Sequence, residues 1–302
     1  MRVLVIGAGS FLGRQCVQSL VRLGHQVIAA SSQTPPNALL TQAQWIACDL
    51  MQPGAPERLA KEARADRVMQ LSWVRSGAGF WTDPANRDWV GVSLALARAC
   101  AEQGAQWFAA AGTCFEYDWP TSSPCIEGVT PTRKHTLYDS CKSQLRDELA
   151  AFCQSAGIRG AWAHLFYLYG PGEYEGKLVA SVARALVRGE PALCSSGRVI
   201  RDYMDVRDAG AALAAIIHAG LEGRVNVGSG EGHEVAHIAR LLGELTGRSE
   251  LVRLRALPDR PDDPPMIVAD ITRLRNEAKL APTRSLKDGL RDAIDWWRTK
   301  ET

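Results

Sequence analysis

Val3-Leu-Val-Ile-Gly-Ala-Gly-Ser-Phe-Leu-Gly13, followed by His25-Gln-Val-Ile-Ala-Ala30, is the stretch whose reading decides the fold. Val3 to Ile6 is continuously apolar and mostly β-branched, as expected of a strand buried on both faces of a parallel sheet. Arg14 to Leu23 reads as a helix that stops at Gly24, and His25 to Ala30 returns as a second buried strand. Glycine suits the turn for three reasons: the backbone needs unusual dihedrals, a pyrophosphate needs bare main chain, and helix and strand pack closely there. The unpaired amides at the helix start then face the phosphates. A glycine turn that merely starts a tightly packed helix is the plainer reading. The returning strand argues against it, because it nearly completes a βαβ unit.

The same alternation continues. Val68 to Leu71, Trp107 to Ala111 and Gly160 to Phe166 read as strands, while Asp88 to Gln103 and Thr136 to Ser155 read as long helices. Right-handed crossovers of this length predict an α/β fold, a doubly wound parallel sheet of Rossmann type over residues 1–168, with ligands at the carboxyl ends of the strands. From Tyr169-Gly-Pro-Gly172 the pattern changes. Helices are predicted over Leu178 to Val187, up to Ala219 and over Val235 to Thr246, with a strand at Val225 to Gly228 and an ordered loop in the proline-rich Leu257 to Pro265. Residues 169–302 are thus expected to form mainly a small mixed substrate-binding lobe, with 202–228 and part of 266–280 returning to the first domain.

The 302 residues carry 35 basic and 33 acidic side chains, a net charge of +2, which gives no broad field for nucleic acid. No apolar run reaches membrane-spanning length and no leader pattern precedes the first strand, so a cytoplasmic protein without a membrane partner is expected. Of eight cysteines, Cys16, Cys100 and Cys153 fall within helical patterns and Cys48 follows a likely strand, no C-x-x-C occurs, and neither His135 nor His164 stands at zinc spacing from them. Buried free thiols are expected, and no metal.

Tyr138-Asp-Ser-Cys-Lys142 opens the helix after the strand that leads to Thr113. Four residues apart on a helix, Tyr138 and Lys142 share a face, and an ammonium beside a phenol favours the phenolate. A hydroxyl at Thr113 is placed to hydrogen-bond a substrate oxygen while Tyr138 gives or takes its proton. The competing readings are a solvated helix face for the pair and a loop cap for Thr113.

With these motifs in order, the chain resembles the extended short-chain dehydrogenase/reductase family, in its nucleoside-diphosphate-sugar epimerase, dehydratase and reductase branch. The resemblance covers almost the whole chain, including His164 to Gly172, Arg201-Asp-Tyr203, Ala269 to Leu274 and Ser285 to Leu290. It implies Thr113, Tyr138 and Lys142 as catalytic residues. It implies cofactor contacts from Gly7, Gly9, Ser10, Phe11, Leu12, Gly13, Ser31, Ser32, Asp49, Leu50 and Leu71 as well as Tyr138 and Lys142. Substrate contacts are implied for Cys114, Tyr117 and Arg201, with Arg201 meeting a diphosphate. Three departures stand out: Ser10 replaces a glycine and requires a right-handed backbone there, Trp89 replaces a structural asparagine, and His164 replaces an arginine.

Relatives using NAD usually place an acid at the end of the second strand, where this chain has Ser31, Ser32 and Gln33. Without that carboxylate, and with Arg14 nearby, NADP is expected, NAD being the alternative. Asp49 is equally readable as a loop cap. Thr113 is followed by Cys114 and Phe115 and not by the acid pair of 4,6-dehydratases. This leaves a 4-ketoreductase acting on a nucleoside-diphosphate-linked deoxysugar, a nucleotide-sugar 4-epimerase, or a catalytically quiet NAD(P)-binding protein. Glu116 and Asp118 read as pocket-lining or solvated-loop carboxylates, Arg201 as a phosphate ligand or an ion pair with Asp202 or Asp205. Trp73, Arg75 and Trp81 read as lining a sugar pocket or packing a loop, and a homodimer is held open as the assembly.

Overall fold

The computed structural model describes residues 1–32, 43–74, 79–120 and 122–301; Gln33 and Arg75 lie outside the described residues. Strands β1 (Arg2–Ile6), β2 (Gln26–Ser31), β3 (Gln44–Ala47), β4 (Arg67–Gln70), β5 (Trp107–Thr113), β6 (Arg159–Leu165) and, much later in the chain, β10 (Gly223–Val227) form one sheet. Their order is β10-β6-β5-β4-β1-β2-β3, with every pairing parallel. Side chains alternate across it: Val3 and Val5 enter one core while Leu4 and Ile6 enter the other, and Val27 and Ala29 oppose Ile28 and Ala30 in the same way. Helices α1 (Phe11–Arg22) and α6 (Val206–Ala219) cover the first face; α2 (Ala55–Ala63), α3 (Ala85–Glu102) and α4 (Leu137–Ala156) cover the second. Strand order reverses between β1 and β4, which opens the ligand crevice of a doubly wound sheet at their carboxyl ends.

Helix α3 starts a turn earlier than its apolar periodicity suggests, because Asp83 Oδ1 accepts the Ala85 N–H at 2.9 Å.

The second sheet is small. It joins β11 (Gly232–Glu234), β9 (Ile200–Asp205) and β13 (Met266–Ile267), with β7 (Tyr167–Tyr169) pairing with the carboxyl half of β9, Tyr203 to Asp205. Helices α5 (Leu178–Arg188), α7 (Val235–Thr246) and α9 (Leu286–Glu301) close a third apolar core over it, built on Tyr169, Val179, Ala183, Ile238, Leu242 and Ile294. A two-stranded ribbon of β8 (Ala192–Leu193) and β12 (Val252–Arg253) flanks this lobe, and α8 (Thr272–Asn276) packs beside β10. Residues 206–227 return to the large sheet as α6 and β10. Arg201 to Asp205 and Met266-Ile267 do not, since β9 finds its hydrogen-bonding partners in the lobe.

Candidate active site

The glycine turn lies at the mouth of the crevice. Gly7 has φ +79°, and a Cβ there would stand 2.8 Å from Ser72 Oγ; at Gly13 a Cβ would fall onto the Gly7 carbonyl oxygen. Gly9 approaches Ser31 so closely that a Cβ would lie 3.0 Å from its Oγ. Bare backbone therefore meets the start of α1, whose first turn carries no acid, and this cradle fits the pyrophosphate of a nicotinamide dinucleotide. Ser10 departs from expectation. Its backbone is extended, with φ −73° and ψ 169°, and its hydroxyl is the N-cap of α1, accepting the Gly13 N–H at 3.0 Å. Arg14 sets Nε 3.3 Å from the Ser10 carbonyl, while Ser31 ends β2 with Ser32 behind it.

Phe11 and Leu71 are half-buried, but Leu12 and Leu50 belong to the core, so only backbone atoms of those two remain to face a cofactor. Asp49 is exposed and closes its own turn, accepting from Met51 N at 3.1 Å and Gln52 Nε2 at 3.3 Å.

Thr113 is the last residue of β5, Tyr138 stands in the first turn of α4, and Lys142 follows one turn on. A capping box of Thr136 and Asp139 fixes the start of that helix, and the Tyr138 N–H is held by the Trp81 carbonyl at 3.0 Å. The Tyr138 hydroxyl faces the Thr113 side chain, which acts to lower the phenol's pKa. Lys142 Nζ donates to the Ala111 carbonyl at 2.8 Å, lies 3.7 Å over the Trp73 ring and 5.9 Å from the centre of the Tyr138 ring. Burial pulls the Lys142 ammonium down to about 7 against the attraction of Glu116. Burial raises the Tyr138 phenol above its ordinary value, and the Thr113 side chain only moderates this. The sequence spacing favours the phenolate; in the structure the ammonium is drawn to a carbonyl and an indole, and burial of the phenol works against that direction.

Glu116 is neither a pocket wall nor a solvated carboxylate. It is fully buried behind Thr113, with Oε1 3.0 Å from both the Thr113 amide and Trp162 Nε1, and Oε2 2.8 Å from Arg146 Nη1 and 3.7 Å from His164 Nε2. Burial raises its pKa, but His164, Arg146 and the Thr113 amide together bring it below the usual carboxylate range. Asp118 is exposed, 3.9 Å from Arg133. The short turn Cys114–Glu116 swings alternate side chains inward. Cys114 and Tyr117 consequently enter the core, and the Tyr117 hydroxyl donates to Asn226 Oδ1 at 2.7 Å. Both were expected to touch substrate; neither presents a side-chain surface to the crevice.

Arg201 lies on β9, buried, with Nη2 2.5 Å from Asp263 Oδ1 and Nη1 2.8 Å from the carbonyls of Ile200 and Pro264. Its ion-pair partner is thus Asp263 of the proline-rich loop and not Asp202 or Asp205. Asp202 is taken by the amides of Ser229, Gly230 and Ala269 and the Ser229 hydroxyl, and Asp205 by Arg207.

Phe115, left on the outer side of its turn, joins an aromatic wall that includes Trp81, read from the sequence as a pocket or loop residue, and adds Phe80, Phe115 and Tyr167, which the sequence did not single out. Phe80 and Trp81 stand 5.2 and 5.6 Å from Tyr138, Phe115 stands 4.7 Å from Trp81 and 6.0 Å from Tyr167, and Tyr167 stands 5.4 Å from Tyr203. Arg201 sits 5.8 Å over the Tyr167 ring, so the wall runs from the phenol to the guanidinium. Asn86 was also missed. It is a fully buried amide that accepts the Trp73 indole N–H at 2.7 Å and donates to the Phe80 and Asp83 carbonyls at 2.8 Å. The available signal was its place beside Asp83-Pro84, where a helix starts and a short amide can tie the incoming loop.

The sequence profile of the NAD dependent epimerase/dehydratase family matches residues 3–228. A UDP-glucose 4-epimerase of Azospirillum brasilense is 26% identical over 99% of this chain and 93% of its own length. A dTDP-6-deoxy-L-talose 4-dehydrogenase (NAD(+)) of Aggregatibacter actinomycetemcomitans is 23% identical over 69% of this chain and 77% of its own. The crystal structure of the Thermus thermophilus UDP-glucose 4-epimerase in complex with NAD superposes with a TM-score of 0.86 at 25% identity, covering 99% of each chain.

Proposed function

The chain belongs to the NAD dependent epimerase/dehydratase family, and on that premise we propose that it is an oxidoreductase acting at C4 of a sugar carried on a nucleoside diphosphate, as a 4-epimerase. The observation that carries the reading is the facing Thr113–Tyr138 pair with Lys142 one turn away, beside a glycine cradle at the switch of the sheet. When bound, the dinucleotide supplies the hydride-accepting and hydride-donating ring. Tyr138 exchanges the proton of the C4 oxygen, Thr113 hydrogen-bonds that oxygen, and Lys142 offers its remaining N–H groups beside them. Phe115, Trp81 and Tyr167 give the sugar flat apolar surfaces without directional hydrogen bonds, which suits a 4-keto sugar that must present either face. Arg201 is the candidate for the diphosphate, reached by exchanging Asp263 for phosphate oxygens. The assembly proposed is a homodimer, checked by sedimentation.

A second reading, 4-ketoreductase on a 4-keto-6-deoxy sugar nucleotide with NADPH, is favoured by Ser31 at the end of β2 and by a Tyr138 that holds its proton ready for a keto oxygen. The deciding assay is a panel of UDP- and dTDP-sugars. Interconversion of C4 epimers without net cofactor consumption supports the epimerase, stoichiometric NADPH oxidation by a 4-keto sugar supports the reductase, and cofactor binding with no turnover across the panel would reduce the protein to a binding module.

A further inference from the structure

Lys142 is 4% exposed, and a buried ammonium needs more than one partner to stay in place. Its hydrogen bond goes to the Ala111 carbonyl. Glu116 is the carboxylate that faces it, from the turn after β5, but that group is already engaged by Arg146 and His164. Tyr138, on the same helix, faces Thr113. What meets the ammonium directly is the Trp73 ring at 3.7 Å. Indole is the strongest cation–π partner among side chains, and the attraction grows where water is excluded.

The ring is held from behind. Its N–H donates to Asn86, which is itself fixed by the Phe80 and Asp83 carbonyls, and Trp89 lies 6.1 Å away on the same helix as Asn86. Trp73 also follows Ser72, whose Oγ packs against Gly7, so one short segment after β4 touches both the nucleotide cradle and the catalytic helix. We propose that Trp73 is a positioning residue: its indole face, locked by Asn86, holds the Lys142 ammonium one turn from Tyr138 and thereby sets the pH range over which the site works. This rests on the assignment of Lys142 to the reaction proposed above.

The test uses protein labelled with 13C at lysine Cε, with the Lys142 signal assigned through Lys142→Arg. In the unmodified protein that signal should be shifted upfield by the ring current and titrate near neutrality. Trp73→Leu should abolish the upfield shift and lower the midpoint by about half to one pH unit, and Trp73→Phe should retain most of both. If Trp73→Leu does not fold, Trp73→Gln removes the π face while keeping a donor for Asn86. With an accepted sugar nucleotide, the alkaline limb of kcat should move down by the same amount at unchanged KM. An unshifted signal and midpoint in Trp73→Leu, or a wild-type kcat profile in that variant, overturns the proposal. Because the titration needs no substrate, a ring-shifted Lys142 in a protein that turns over nothing would overturn the enzymatic reading alone.

Discussion

The Glu116 carboxylate, fully buried, accepts the backbone N–H of Thr113 at 3.0 Å and thereby fixes the carboxyl end of β5, where the Thr113 hydroxyl stands. Its other oxygen is met by Arg146 Nη1 at 2.8 Å from α4, so one ion pair ties the strand bearing Thr113 to the helix bearing Tyr138 and Lys142. Glu116→Ala leaves the Thr113 amide and the Trp162 indole N–H without their acceptor and the buried Arg146 guanidinium with only Asp147 on its Nε. The expected loss is about 3 kcal/mol or more, seen as a fall in melting temperature of roughly 6–12 °C. A melting temperature within a degree of wild type would mean that the pair holds nothing together.

Tyr138→Phe removes a hydroxyl and leaves the ring among Phe80 and Trp81. Turnover should fall at least ~100-fold, while melting temperature and cofactor affinity stay near wild type. Steady-state rates beside thermal melts check this, and wild-type turnover would remove Tyr138 from the chemistry.

Ser31→Asp places a carboxylate at the end of β2, beside the backbone of Gly9. Repulsion of a 2′-phosphate should weaken NADPH by about tenfold or more, while NADH is unchanged or tightened by the ribose hydroxyls. Fluorescence titration of both nucleotides decides it; equal effects on the two would place the ribose elsewhere.

Glu173, buried beside the first turn of α5, has its carboxyl pushed up to about 8 by burial, against the pull of Lys177 and of the Ala180 N–H. A folded-state value above the unfolded one of about 4.3 means stability that is fully present below that pH and lost as pH rises through about 8. Glu173→Gln carries no such charge. Its melting temperature relative to wild type should therefore rise by several degrees between pH 5 and pH 9, and parallel curves for the two proteins would contradict the burial argument.

The sequence by itself determined the doubly wound sheet and singled out Thr113, Tyr138 and Lys142 as the candidate trio, because both readings depend on short-range rules. Apolar runs at strand and helix periods, a glycine turn between β1 and α1, and a tyrosine four residues before a lysine on one helix are legible without contacts. Only the tertiary structure decided what each polar group meets. Glu116 is flanked by residues that read as pocket or loop, yet its partners come from α4 and β6. Arg201 neighbours Asp202 in sequence but pairs with Asp263, brought in by the loop that leads to β13. Cys114 and Tyr117 turn inward because a three-residue helical turn sets their direction. The phenol's protonation also follows from burial and from where the Lys142 ammonium is drawn, quantities that depend on how β4, α3 and α4 pack and on no spacing within the chain.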